Sequence, residues 1–192
     1  LTGTWCGYCP QLTTALNGIN DFTEDHSVVL EFHNGDEFSV KYDSTHDLAS
    51  KLMVEFRNTS LPYAIFSLSL GIDTRDSYEI QSIVKDILTK NPAKTGIKAR
   101  SSVSGDKLTV NATVKTSSAG TYDLGFAVIK DDCIPSDPRN ATESEYDNAV
   151  LGITGNYYAM STDGTFSLEA NGEKEAEFTW TSPIVSTEDI ED

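Results

Sequence analysis

An α/β half followed by an all-β half is the fold class that this sequence of 192 residues predicts. Three observations carry it. Up to Asn91, apolar residues recur at helical spacing and in short compact runs. After Gly96 they switch to strict alternation. Between the two patterns, Asn91–Gly96 (NPAKTG) has the breakers of a linker. The domains are therefore set at 1–93 and 94–192.

In the first half, Pro10–Phe22 carries Leu12, Leu16, Ile19 and Phe22 on one helical face. Ser27–His33 (SVVLEFH) is a short apolar strand. His46–Arg57 places Leu48, Leu52, Met53 and Phe56 at helical spacing. Leu61–Ser69 is a strand entered through Pro62. Ser77–Lys90 lines up Ile80, Ile83, Val84, Ile87 and Leu88. Asp76 and Glu79 form a capping-box signature at its start, and Asn91-Pro92 stops it. In the second half the strands are Ile97–Val103, Leu108–Lys115, Thr121–Lys130, Ala149–Ala159, Gly164–Glu169 and Glu175–Thr181. Turn signals at Ser104-Gly105-Asp106, Ala119-Gly120, Asp163-Gly164 and Asn171-Gly172 separate them, the pattern of an antiparallel β-sandwich. A long polar loop, Asp131–Asn148, and an acidic tail, Ser186–Asp192, complete this half.

The formal net charge of −16 repels phosphate backbones and anionic lipid headgroups, so neither nucleic acid nor a basic membrane patch is an expected partner. No apolar run is long enough for a transmembrane helix. The chain opens on Leu1-Thr2-Gly3-Thr4 without a signal peptide, as a trimmed chain would.

One motif carries chemistry. Trp5-Cys6-Gly7-Tyr8-Cys9-Pro10 is a C-x-x-C pair at a helix start. The free N–H groups there favour a thiolate on Cys6. Trp5 gives an apolar shoulder, Cys6 is read as the exposed nucleophile and Cys9 as the resolving thiol. Two alternatives stand beside this reading. Zinc needs about four ligands, and one C-x-x-C with His26, His33 and His46 at no ligand spacing does not supply them. A purely structural disulfide is possible, though so short a loop gains little chain entropy. No metal or other cofactor is implied.

Trp-Cys-x-x-Cys-Pro, then helix, strand, helix and x-Pro-strand-helix, resembles the thioredoxin fold. The resemblance implies roles for Cys6 and Cys9 as catalytic thiols. It implies that Trp5, Leu61 and Pro62 are substrate-binding, with a cis Leu61–Pro62 bond packed against the cysteine pair. The strand before the C-x-x-C, and the buried acid that would tune Cys9, fall upstream of Leu1 on this comparison. Leu61 departs from the Thr or Val usual there. More narrowly, Thr2–Pro10 (TGTWCGYCP) with its β-rich second half resembles the twenty-eight-kilodalton outer-membrane lipoprotein family of Bacteroidetes. That resemblance implies the cell envelope, periplasm or outer membrane, with a lipid anchor outside this chain. The expected partners are protein thiols and disulfides, for a thiol–disulfide oxidoreductase or isomerase. The alternative is a non-enzymatic surface lipoprotein whose β-sandwich binds a surface ligand.

Other residues carry less. Cys133 is the odd cysteine, expected as a free loop thiol. Tyr157-Tyr158 and Trp180 read as strand core. The acidic pairs lack a calcium-loop spacing, and no hydrolase or phosphate-loop motif occurs.

Overall fold

The computed structural model describes residues 1–23, 26–42, 44–137, 139, 141–155 and 164–181. They form two compact units. One comprises Leu1–Asn91 together with Ile129–Leu151; the other comprises Pro92–Val128 and the described residues from Gly152 onward. The sequence places everything after residue 93 in the second domain, but Ile129–Leu151 belongs with the first half. The acidic tail, Tyr157 and Tyr158 lie outside the described residues.

The first unit holds helices α1 (Cys9–Leu16), α2 (Ile19–Thr23), α3 (Leu48–Glu55) and α4 (Ser77–Lys90), and the hairpin β1 (Ala64–Phe66) and β2 (Leu70–Ile72). The single helix expected over Pro10–Phe22 is broken between α1 and α2. There Gly18 takes φ 77°, a left-handed conformation that ends a helix at little cost to glycine. The strand expected over Leu61–Ser69 stops at Phe66. Ser67 and Leu68 at φ 48° and 50° turn the chain into β2. In α4, the Asp76 carboxylate accepts the Glu79 N–H at 2.9 Å, as the capping signature requires. The apolar stripes of α1, α2 and α4 meet β1 in one core of Leu12, Ile19, Ala64, Phe66, Ile80 and Val84.

Backbone pairing in this unit runs through short segments. Leu1 and Tyr63 exchange both backbone hydrogen bonds, at 2.6 and 3.2 Å, as an antiparallel pair does. Thr2 bridges His33 in parallel, with hydrogen bonds to Phe32 and Asn34 of 3.0 Å each. Glu31 then bridges Ala149 in parallel. Its N–H donates to Asn148 (2.8 Å) and its carbonyl accepts from Val150 (2.9 Å). The order across the row is therefore β2, β1 with Tyr63, Leu1–Thr2, Glu31–Asn34 and Asn148–Val150. Where Ser27–His33 was expected as a strand, the backbone pairing seen among the described residues falls at residues 31–34. That is the stretch facing both Thr2 and the 148–150 segment.

The remaining strands are β3 (Thr95–Ser104), β4 (Lys107–Thr116), β5 (Gly120–Asp123), β6 (Gly125–Lys130), β7 (Ala149–Gly155), β8 (Thr165–Leu168) and β9 (Glu173–Thr181). Among the described residues they pair as β3-β4-β9, β5-β8 and β6-β7. The strand expected over Thr121–Lys130 is divided at Leu124. In the three-stranded sheet, period-two alternation sets the faces. Leu108, Val110 and Ala112 stand opposite Trp180, Phe178 and Ala176 on one face, with Lys, Thr and Glu on the other. Phe178 meets the Phe126 ring at 4.9 Å.

Gly152 is needed for that face. A Cβ there would lie 2.1 Å from Trp180 Nε1. Gly152→Ala is expected to dislodge the indole and cost about 1–3 kcal/mol, as overpacking does. Urea unfolding with tryptophan emission checks it, and an unchanged midpoint would refute the packing argument.

Candidate redox site

Cys6 and Cys9 are joined by a disulfide, S–S 2.12 Å with Cα atoms 5.4 Å apart. Helix α1 starts at Cys9, so Cys6 sits in the turn before it. That turn closes through Cys6 N–H to Gly3 O (2.9 Å) and Cys9 N–H to Cys6 O (3.1 Å). Pro10 suits the first turn, where its missing N–H costs nothing. The paired segment Leu1–Thr2 leads straight into this turn.

Cys6 was expected to be exposed, but only 4% of it is accessible, against 1% of Cys9. The aromatic residues stand outside instead: Trp5 is 54% exposed and Tyr8 62%. Trp5 is anchored by its indole N–H, which donates to Asn34 O at 2.8 Å. The Arg75 guanidinium lies over the Tyr8 ring at 5.5 Å.

Leu61–Pro62 is a cis peptide bond, as expected. Pro62 and Cys9 line one small cavity of about 30 Å³, together with Thr2, Thr13 and Glu31. That volume is of the order of a single water site. Among the described residues, no hydrogen bond occupies the backbone of Leu61. The structure thus brings Cys6, Cys9 and Pro62 into one neighbourhood, with Trp5 on its rim.

Glu31 is the residue that sequence reasoning missed. It is buried, and its carboxylate accepts the Thr13 hydroxyl of α1 at 3.2 Å. Burial pushes its carboxyl above the usual range. His33, the Thr13 hydroxyl and the Leu1 amine oppose that rise, while Glu143 adds to it. The available signal was a lone acid inside the apolar run Val28-Val29-Leu30-Glu31-Phe32. A carboxyl whose pKa is raised by folding binds its proton more tightly in the native state. Its penalty is therefore absent at low pH and grows as pH rises through the folded pKa. Glu31→Gln is expected to raise the melting temperature at pH 8 and leave it nearly unchanged near pH 4. Melts across that range check this, and a variant less stable at pH 8 than wild type would overturn it.

Cys133 is free, as expected, but it is buried rather than displayed on a loop. It bridges Tyr146, and burial pushes its thiol up, against a downward pull from Lys130. Among the described residues, no group of three His, Cys, Asp or Glu side chains is arranged to hold a metal ion.

No protein-family profile matches the chain. No curated protein sequence matches it either. Among solved structures, it is similar to the crystal structure of protein AGR_C_4864 from Agrobacterium tumefaciens. The TM-score is 0.57 at 15% identity, over 94% of this chain and 75% of that one. At that identity the likeness shows a shared fold and no more.

Proposed function

We propose that the chain is a thiol–disulfide oxidoreductase acting through Cys6 and Cys9, with a thioredoxin-like first unit and a β-sandwich second unit. One observation carries the reading: the cysteine pair lies between the paired segment Leu1–Thr2 and α1, with Pro62 and buried Glu31 sharing the cavity beside Cys9. The order of backbone segments supports the thioredoxin-like half. Three parallel segments adjoin an antiparallel hairpin, and Leu1–Thr2 occupies the place of the strand expected to be missing. The contact of Phe126 with Phe178 supports a sandwich.

The chemistry is a two-electron exchange. In the reduced protein, the Cys6 thiolate attacks a substrate disulfide, forming a Cys6–substrate mixed disulfide and releasing one substrate thiolate. Glu31 takes the Cys9 proton through the shared cavity, a task that suits a carboxyl whose pKa is raised. The Cys9 thiolate then attacks Cys6 Sγ. The second substrate thiol leaves, the protein is oxidised to the Cys6–Cys9 disulfide, and the substrate is reduced to its dithiol. Trp5 and Tyr8 offer apolar contact to a polypeptide, and the unpaired Leu61 backbone offers it hydrogen bonds. The proposal includes an oxidising compartment of the cell envelope, where such a disulfide persists. No helix among the described residues is long and apolar enough to cross a membrane.

The test is turnover of a fluorogenic disulfide peptide in both directions, with the protein first reduced and then oxidised. Catalysis in either direction supports the reading. Rates equal to those of free dithiol or disulfide at the same concentration would overturn it.

A further inference from the structure

We propose that His33, Asp36 and Tyr146 are positioning residues for the Cys6–Cys9 pair, gripping the Thr4 backbone by its N–H on one side and its carbonyl on the other. The inference rests on the redox reading above.

The N–H side is built from a buried His33–Asp36 hydrogen bond. Asp36 Oδ2 accepts the Thr4 N–H at 2.8 Å and faces His33 Nδ1, also at 2.8 Å. The other oxygen, Oδ1, accepts Phe38 N–H (3.0 Å) and Ser39 Oγ (3.4 Å), so the carboxylate cannot swing away. Both side chains are shielded from solvent. Burial raises the Asp36 carboxyl, but the hydrogen bonds from His33 and Thr4 outweigh it and hold Asp36 ionised. Facing that carboxylate, His33 Nδ1 is the donor. The imidazole is fixed edge-on between the rings of Phe38 (5.2 Å) and Tyr146 (5.1 Å).

The carbonyl side comes from the late segment. Thr4 O accepts the Thr142 N–H at 2.9 Å and the Tyr146 hydroxyl at 3.3 Å. Trp5 is tied to Asn34, in the same turn as His33 and Asp36. The bonds to Thr4 and Trp5 converge on the residues just before Cys6.

A fixed turn keeps Cys6 Sγ near Cys9 after reduction. That raises the effective concentration of one thiol at the other, and with it the disulfide-forming equilibrium. Freeing Thr4 weakens that equilibrium. A merely structural role would lower stability and leave the equilibrium alone.

The experiment measures the Cys6–Cys9 equilibrium constant in glutathione buffers, alongside thermal stability, for the full chain. Asp36→Ala is expected to lower the constant about tenfold, equivalent to about 30 mV for a two-electron couple. Tyr146→Phe, which removes only the hydroxyl, is expected to lower it two- to four-fold. Thr116→Val, removing a buried hydroxyl that meets Tyr122 at 2.6 Å, serves as control and is expected to change stability alone. Constants within 1.5-fold of wild type in both Asp36→Ala and Tyr146→Phe would overturn the proposal. If Asp36→Ala does not fold, Tyr146→Phe decides. The constant needs no protein substrate. A shift in it without wild-type turnover leaves the positioning role standing and refutes the enzymatic reading; turnover without a shift does the reverse.

Discussion

Cys6→Ser is expected to reduce disulfide turnover to the uncatalysed background, whereas Cys9→Ser is expected to stall after one attack and accumulate a mixed disulfide. The asymmetry follows from the chemistry of the two positions. Cys6 lies in the turn before α1, next to exposed Trp5 and Tyr8, and is the less buried of the two cysteines. Cys9 lies inside the first turn of the helix against the cavity it shares with Glu31. On the proposed function a substrate meets Cys6 first, and without Cys9 nothing resolves the covalent product. Non-reducing mass spectrometry after incubation with a disulfide peptide checks this, since the Cys9→Ser protein should gain the mass of one peptide half. Cys133→Ser should turn over like wild type, because that thiol is buried and burial holds its pKa up. An adduct on Cys133, or undiminished turnover by Cys6→Ser, would contradict the assignment.

The cysteine pair was legible because its signal is local. C-x-x-C-P before an amphipathic run fixes a turn, a helix start and two neighbouring sulfurs without reference to the rest of the chain. Pro62 was legible for a similar reason, as a proline at the mouth of a strand. Glu31 was not, since one acid in SVVLEFH says nothing about what covers it. Its burial depends on α1 and on Leu1–Thr2, which meet it only in three dimensions. The Thr4 clamp was illegible for the same cause. Asp36 to Thr4 spans 32 positions and Tyr146 to Thr4 spans 142, with no periodicity linking them. In the second half, alternation predicted strands such as β4 and β9, which pair antiparallel with one face more shielded than the other. Alternation carries no information on partners, however, so it did not reveal that residues 148–150 pair with Glu31.

That last pairing yields the second large effect. Residues 1–93, expressed alone, are expected not to fold cooperatively, although the sequence marks them as a domain. Without Ile129–Leu151, the backbone of Glu31 loses both hydrogen bonds to Asn148 and Val150. Thr4 O loses Thr142 and Tyr146, and the buried side chains of Cys133, Tyr146, Ala149 and Val150 disappear from the unit. A buried apolar side chain the size of Val150 contributes about 1.5–3 kcal/mol, and smaller ones such as Ala149 less. Each hydrogen bond contributes roughly 1 kcal/mol more, with a further penalty where a buried partner is left unpaired. The loss is comparable with the whole stability of a small domain, about 5–15 kcal/mol. Within the intact chain, Val150→Asp tests the same contact. It places a charge at a fully buried position beside the Glu31 carbonyl. Several kcal/mol of destabilisation is expected. Circular dichroism melts and amide dispersion in NMR spectra of both proteins provide the check. A cooperative transition for 1–93 within a few degrees of the full chain would show that the late segment is dispensable, and that the row of paired segments closes without it.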